Sequence, residues 1–157
     1  MKLLAKKIVK ILTKKKLTIS FAESCTGGMV SSAITAISGS SKVFTLGLVV
    51  YSNKSKINVL KIPKNIIKKY GTVSSPVCIA MVKNISKISK TNISLAVTGI
   101  AGPKGSTEKK PVGLVYISIK RGNKIKVKKY LFKNRQRIYI QKTTVNKSLD
   151  LILRTLK

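Results

Sequence analysis

The sequence predicts an α/β domain of three layers, with helices on both faces of a mixed, mostly parallel sheet. Segments with helical periodicity alternate with short apolar runs of strand length, the arrangement that builds crossover βαβ units. Two late strand-like runs flank Arg121-Gly122-Asn123, a tight turn that adds an antiparallel hairpin to the sheet. A length of 157 residues with 43% apolar residues suits one core, and no repeat or linker interrupts it. A single domain over 1–157 is expected.

Each element has a local reason. Residues 2–16 place Leu4, Ile8, Ile11 and Leu12 on one face and lysines on the other, which predicts an amphipathic helix packed on a sheet. Leu17 to Phe21 is a β-like run, and Met29 to Ile37 a helix of small residues with little charge, expected to be covered on both faces. Ser38 to Ser41 forms a turn, and Val43 to Tyr51 a buried strand or strand pair. Ser52 to Lys56 starts a short helix to Leu60. Pro63 stands at the first position of a helix through Tyr70 that Gly71 stops. Ser74-Ser75-Pro76 opens a helix to about Lys90. Ile93 to Val97 is a strand, followed by a long loop, Thr98 to Thr107, with three glycines. Val112 to Ile119 and Lys124 to Phe132 form the hairpin, and Arg137 to Leu156 the closing helix.

Composition removes much chemistry. With no His, a Ser-His-Asp or Cys-His hydrolase is excluded, as is an imidazole metal ligand. The only carboxylates are Glu23, Glu108, Asp150 and the C-terminus, too few for a hard-cation site, so neither a metal nor a cofactor is expected. A hydrolase here is left with Ser, Thr or Cys and a Lys or Tyr base. The balance of 33 basic against 3 acidic residues, net +30, raises polyanion binding. Against it, only Arg121, Arg135, Arg137 and Arg154 are arginines, and the lysines are spread along the whole chain. Drift toward A/T-rich codons explains the charge better than selection for nucleic acid. Val43 to Tyr51, the most apolar stretch, is nine residues long, roughly half a membrane span. The N-terminus lacks the uninterrupted apolar segment of a signal peptide, and Cys25 and Cys78 read as reduced thiols, so a cytoplasmic location is expected.

Three loops leave strand ends, where ligands of α/β sheets collect. Phe21-Ala22-Glu23-Ser24-Cys25-Thr26-Gly27-Gly28 offers a hydroxyl, a thiol and the first N–H groups of a helix. The loop Tyr51 to Lys56 offers a phenol and an amine five residues apart. The loop Thr98 to Thr107 offers backbone donors and Thr98. Ser with Lys is a workable nucleophile and base if the amine's pKa is lowered, and Cys25 beside Ser24 is the rival nucleophile.

Several motifs recur in order over about 20 to 120. They are Ala22-Glu23-Ser24-Cys25-Thr26-Gly27-Gly28, Gly39-Ser40-Ser41, Val50-Tyr51-Ser52-Asn53 with Lys56, and Tyr70-Gly71-Thr72-Val73-Ser74. Val97-Thr98-Gly99-Ile100-Ala101-Gly102-Pro103 and Thr107-Glu108-Lys109-Lys110-Pro111-Val112-Gly113 complete the set. In these the chain resembles the C-terminal domain of the competence/damage-inducible (CinA) family, whose stand-alone members are nicotinamide-mononucleotide amidohydrolases. The resemblance implies conversion of nicotinamide mononucleotide and water to nicotinate mononucleotide and ammonia. It implies Ser24 as nucleophile, Lys56 as its base and Tyr51 as a relay or orienting hydroxyl. Cys25, Thr26, Gly27, Gly28, Thr98 and Gly99 would contact substrate, backbone N–H groups among them holding the oxyanion. Arg135 or a helix N-terminus would take the ribose phosphate. The expected partners are the small-molecule substrate and further copies of the chain, as a dimer, with no specific nucleic acid and no membrane. Departures from the family pattern are Lys133-Asn134-Arg135, where an aspartate commonly stands in the middle, and Lys104 and Ser106, where glycines are frequent. The family's larger N-terminal domain has no counterpart in this stretch. A copy that binds nucleotide without turnover and a basic polyanion-binding module remain the alternatives.

Overall fold

A computed structural model describes residues Met1–Lys157. The elements are α1 (Lys2–Lys14), β1 (Ile19–Glu23), α2 (Met29–Thr35), β2 (Phe44–Val49), α3 (Asn53–Asn58), α4 (Lys64–Tyr70) and α5 (Ser75–Ser89). They continue as β3 (Ile93–Gly99), β4 (Leu114–Arg121), β5 (Lys124–Leu131) and α6 (Arg137–Leu156), and a turn of 3-10 helix covers Ser40–Lys42. The strands lie in the order β2-β1-β3-β4-β5. β1 pairs in parallel with β2 and β3, while β3–β4 and β4–β5 are antiparallel. Only β4 therefore runs against the others, and the expected mixed, mostly parallel sheet is the one found.

Side chains alternate across the two central strands, and both faces are covered. Ile19 and Phe21 of β1 and Ile93, Leu95 and Val97 of β3 join the core under α1, α2 and α6, with Ile8, Leu12, Ile34, Leu149 and Ile152. Ala22 and Ala96 point to the opposite face, where they meet Leu60, Ile62, Val77, Met81, Val82 and Ile85 from the layer of α3 to α5. These two alanines leave room for α5 to lie close against the sheet. Ser20 and Ser94, also buried, bond to each other at 3.0 Å, so neither hydroxyl is left unpaired.

Three expectations need correction. Val43 to Tyr51 is not a buried strand or a pair. β2 is a single edge strand whose residues alternate between half-buried and exposed, because it has one neighbour only. α2 is not covered on both faces: Val30 and Ile34 are buried, but Ser32 and Thr35 face solvent, since it packs only inward. Pro63 precedes the first helical residue of α4, Lys64, rather than occupying that position. No helix is long and apolar enough to cross a membrane. Lysines stand on α1, α4, α5, β5 and α6, so the positive charge covers both helical layers and one sheet edge.

Candidate functional site

Ser24 is the first residue beyond β1. Its N–H donates to Val97 O at 3.1 Å, prolonging the ladder to β3, and its side chain is almost buried (7% exposed). Lys56 reaches it from the other side of β1. β2 ends at Val49, and Ser52 starts α3 with a capping box: Ser52 Oγ accepts from Ser55 N–H (3.0 Å) and Ser55 Oγ from Ser52 N–H (3.1 Å). That box sets the first turn, so Lys56 points inward and is wholly buried, unlike every other lysine of the chain.

Lys56 Nζ donates to Val50 O (2.7 Å) and Tyr51 O (3.1 Å) and lies 2.9 Å from Ser24 Oγ. A neutral amine has two N–H bonds and one lone pair. The two carbonyls can only accept, so they take both N–H bonds and turn the lone pair toward the Ser24 hydroxyl. An ammonium keeps the same geometry and donates its third N–H to Ser24 Oγ. Burial disfavours the charged form and lowers the amine's pKa from 10.5 to about 8, the nearby Cys25 opposing this weakly. The pair can thus take up and return a proton near neutral pH without rearranging.

Glu23 is the buried carboxylate of the loop. It accepts from the N–H groups of Gly28 (3.1 Å), Val30 (3.0 Å) and Ser31 (2.8 Å) and from Ser31 Oγ (2.7 Å). An anion at the start of α2 meets both the unpaired donors and the positive end of the helix. Gly27 and Gly28 turn the chain with φ of 59° and 97°, a region costly for other residues, which lets the loop fold back over Glu23. Its partners are three backbone N–H groups and one hydroxyl, with no lysine among them. Glu23→Gln turns one acceptor oxygen into a donor facing N–H groups. It should lower unfolding stability by about 1–3 kcal/mol in denaturant titration, and parent-like stability would count against this role.

These bonds redistribute the donors expected for an oxyanion. Gly28 N–H belongs to Glu23, and Gly27 N–H donates to Ser24 O at 3.1 Å. The N–H groups of Cys25 and Thr26 have no acceptor within the protein and adjoin Ser24 in sequence. Thr26 is fully buried, and its hydroxyl has no hydrogen-bond partner. Cys25 is also buried; desolvation, with a smaller push from Cys78, raises its thiol pKa to about 12. A thiol so placed stays protonated and is a poor nucleophile. Cys25 Sγ would lie 3.0 Å from a Cβ at Gly99, and Leu114 O 2.9 Å, so only glycine fits there without movement.

A cleft of about 220 Å³ opens over Ser24 and Lys56, lined also by Cys25, Tyr51, Thr98, Gly99, Lys104 and Arg137. Thr26, Gly27, Gly28 and Arg135 do not line it. Thr98 Oγ1 donates to Thr72 O at 3.1 Å, tying β3 to the segment before α5. The Tyr51 phenol bonds to neither Ser24 nor Lys56. It is 57% exposed and accepts from Arg137 Nη2 at 2.9 Å, while Arg137 Nη1 donates to Gly102 O at 2.8 Å. The Tyr51 backbone carbonyl, not its hydroxyl, holds the amine.

Arg137 was missed in the sequence, where Arg135 stood out. Asn134 Oδ1 accepts from Gln136 N–H at 2.9 Å, a turn that starts α6 and makes Arg137 its first residue. Side chains in a helix lean toward its N-terminus, and here that direction is the cleft. The signal available was the Asn134 turn followed by a helical period. Asn134 keeps the acceptor oxygen that an aspartate would supply, without the charge.

The comparisons with known proteins agree with this architecture. A CinA-like protein of Prochlorococcus marinus (strain MIT 9215) is 50% identical over 151 residues, covering 93% of this chain and 36% of the relative. The chain thus spans about a third of the length of the curated relatives it matches. The crystal structure of the competence/damage inducible protein CihA from Agrobacterium tumefaciens is 36% identical, with a TM-score of 0.95 over 99% of this chain and 94% of that one. The competence or damage-inducible protein from Enterobacter asburiae is 29% identical, with a TM-score of 0.94 over 98% and 96%. The family profile described as the CinA C-terminal domain matches residues 1–156, and with the Glu23–Gly28 loop, the Tyr51–Lys56 segment and the fold all in place, this chain belongs to the CinA C-terminal domain family.

Proposed function

We propose that the chain is an amidohydrolase that deamidates nicotinamide mononucleotide to nicotinate mononucleotide and ammonia. The observation that carries this reading is the buried Lys56 amine 2.9 Å from Ser24 Oγ, its pKa lowered to about 8, at the floor of an open cleft. A hydroxyl paired with a desolvated amine is the nucleophile-and-base arrangement available to a chain without histidine.

Ser24 Oγ attacks the carboxamide carbon as its proton passes to Lys56 Nζ. The carbonyl oxygen becomes an oxyanion, for which the N–H groups of Cys25 and Thr26 are the unengaged donors nearest in sequence. Lys56 returns the proton to the amide nitrogen, the C–N bond breaks, and ammonia leaves. Water then attacks the acyl-Ser24, gives its proton to Lys56 and releases the carboxylate, and Ser24 recovers its proton. Tyr51 acts from the cleft wall, oriented by Arg137, as a substrate contact rather than a proton relay. Cys25 remains a protonated wall residue.

The test is ammonia release from nicotinamide mononucleotide by the purified chain, with and without a chelator. Turnover unchanged by the chelator is the expected outcome. Tight nucleotide binding without ammonia would replace this reading with that of a binding protein.

A further inference from the structure

Three basic side chains line the cleft, Lys56, Lys104 and Arg137, and no carboxylate does. Lys56 is engaged with Ser24 and two carbonyls, and Arg137 with Gly102 O and the Tyr51 phenol. Lys104 has neither a hydrogen bond nor an ion pair; the chain's salt bridge joins Arg154 to Asp150, outside the cleft. The charge of Glu23 cannot serve as its counterion, because Glu23 is fully buried and caps α2. The same cap excludes a ligand anion from that helix N-terminus. The cleft lining therefore holds a nearly buried hydroxyl, Ser24, and one exposed, unpaired ammonium on the loop between β3 and β4.

We propose that Lys104 determines specificity for a phosphorylated substrate, its ammonium binding the phosphate monoester while the carboxamide sits at Ser24. The assignment rests on the amidohydrolase reading for the identity of the far end of the substrate. A mononucleotide carries both a reacting carboxamide and a phosphate, and the cleft is lined by both Ser24 and Lys104. Ammonium and phosphate form charge-assisted hydrogen bonds, and a compact point charge on a flexible stem tolerates variation in the phosphate position.

The test compares the parent with Lys104→Ala, Lys104→Arg and Lys128→Ala. The last removes one charge from exposed β5, away from the cleft. Lys104→Ala should raise KM for nicotinamide mononucleotide about tenfold with kcat within about twofold, the loss of one hydrogen bond to a charged group. Lys104→Arg should recover most of it, and Lys128→Ala should match the parent. Calorimetry should show ribose 5-phosphate binding about tenfold more weakly to Lys104→Ala, and nicotinamide riboside, which lacks the phosphate, equally well to both. Equal KM in Lys104→Ala and the parent, or equal weakening by Lys128→Ala, would overturn the assignment. If the parent releases no ammonia, the amidohydrolase reading fails by itself. The ribose 5-phosphate comparison then decides Lys104: a tenfold loss supports it and no loss overturns it.

Discussion

Ser24→Ala should abolish ammonia release from nicotinamide mononucleotide, by at least about 10³-fold in kcat, because no other group in the cleft can form the acyl intermediate. Its thermal unfolding should stay close to that of the parent. The lost Oγ has one partner, Lys56, which keeps the carbonyls of Val50 and Tyr51. Cys25→Ser is the matching control. With its thiol pushed up to about 12, Cys25 supplies almost no thiolate at neutral pH, so this variant should retain most activity. A Ser24→Ala protein as fast as the parent, or a Cys25→Ser protein as dead as Ser24→Ala, would end the serine mechanism.

Lys56→Met should cost about 10²–10⁴-fold in kcat/KM, the usual contribution of a positioned proton-transfer group. In the parent, kcat/KM should rise with pH through about 8 and then level, since the amine must be neutral to accept the Ser24 proton. The residual activity of Lys56→Met should lack that limb. Stability gives an independent reading with a definite sign. The folded amine titrates near 8 and the unfolded one near 10.5, so between these values the folded chain binds fewer protons. Its contribution to stability therefore rises with pH across that window, and below about pH 8 the buried ammonium exerts its full penalty. Melting curves of parent and Lys56→Met should converge or cross as pH rises from 8 to 10.5. A constant difference over that range would show that Lys56 is not desolvated.

Local patterns carried most of the fold. Alternation along β1 and β3, the amphipathic α1, the serine caps of α3 and α5 and the Gly122 turn are each set by neighbours within a few residues. Where an element's burial depended on what lay beside it, local pattern was insufficient. β2 looks buried in sequence because it is apolar, yet it lies at the sheet edge, and α2 looks buried because it lacks charge, yet one side is bare.

The same division runs through the site. The sequence alone determined the chemical options: no histidine, few carboxylates, and a hydroxyl and thiol on a glycine turn at a strand end. Spacing put Tyr51 and Lys56 on one loop and the family motifs pointed to Ser24, but a lysine's spacing says nothing of its solvation. Only tertiary structure decided that Lys56 is the buried one, with two carbonyls orienting its lone pair. It also decided that the Tyr51 phenol turns away to Arg137, that Arg137 rather than Arg135 faces the cleft, and that Glu23 occupies the helix N-terminus. Residue types and spacing are properties of the chain. Desolvation, the direction of a side chain and the engagement of a donor depend on atoms far away in sequence, and these set one buried lysine amine beside the hydroxyl of a glycine turn.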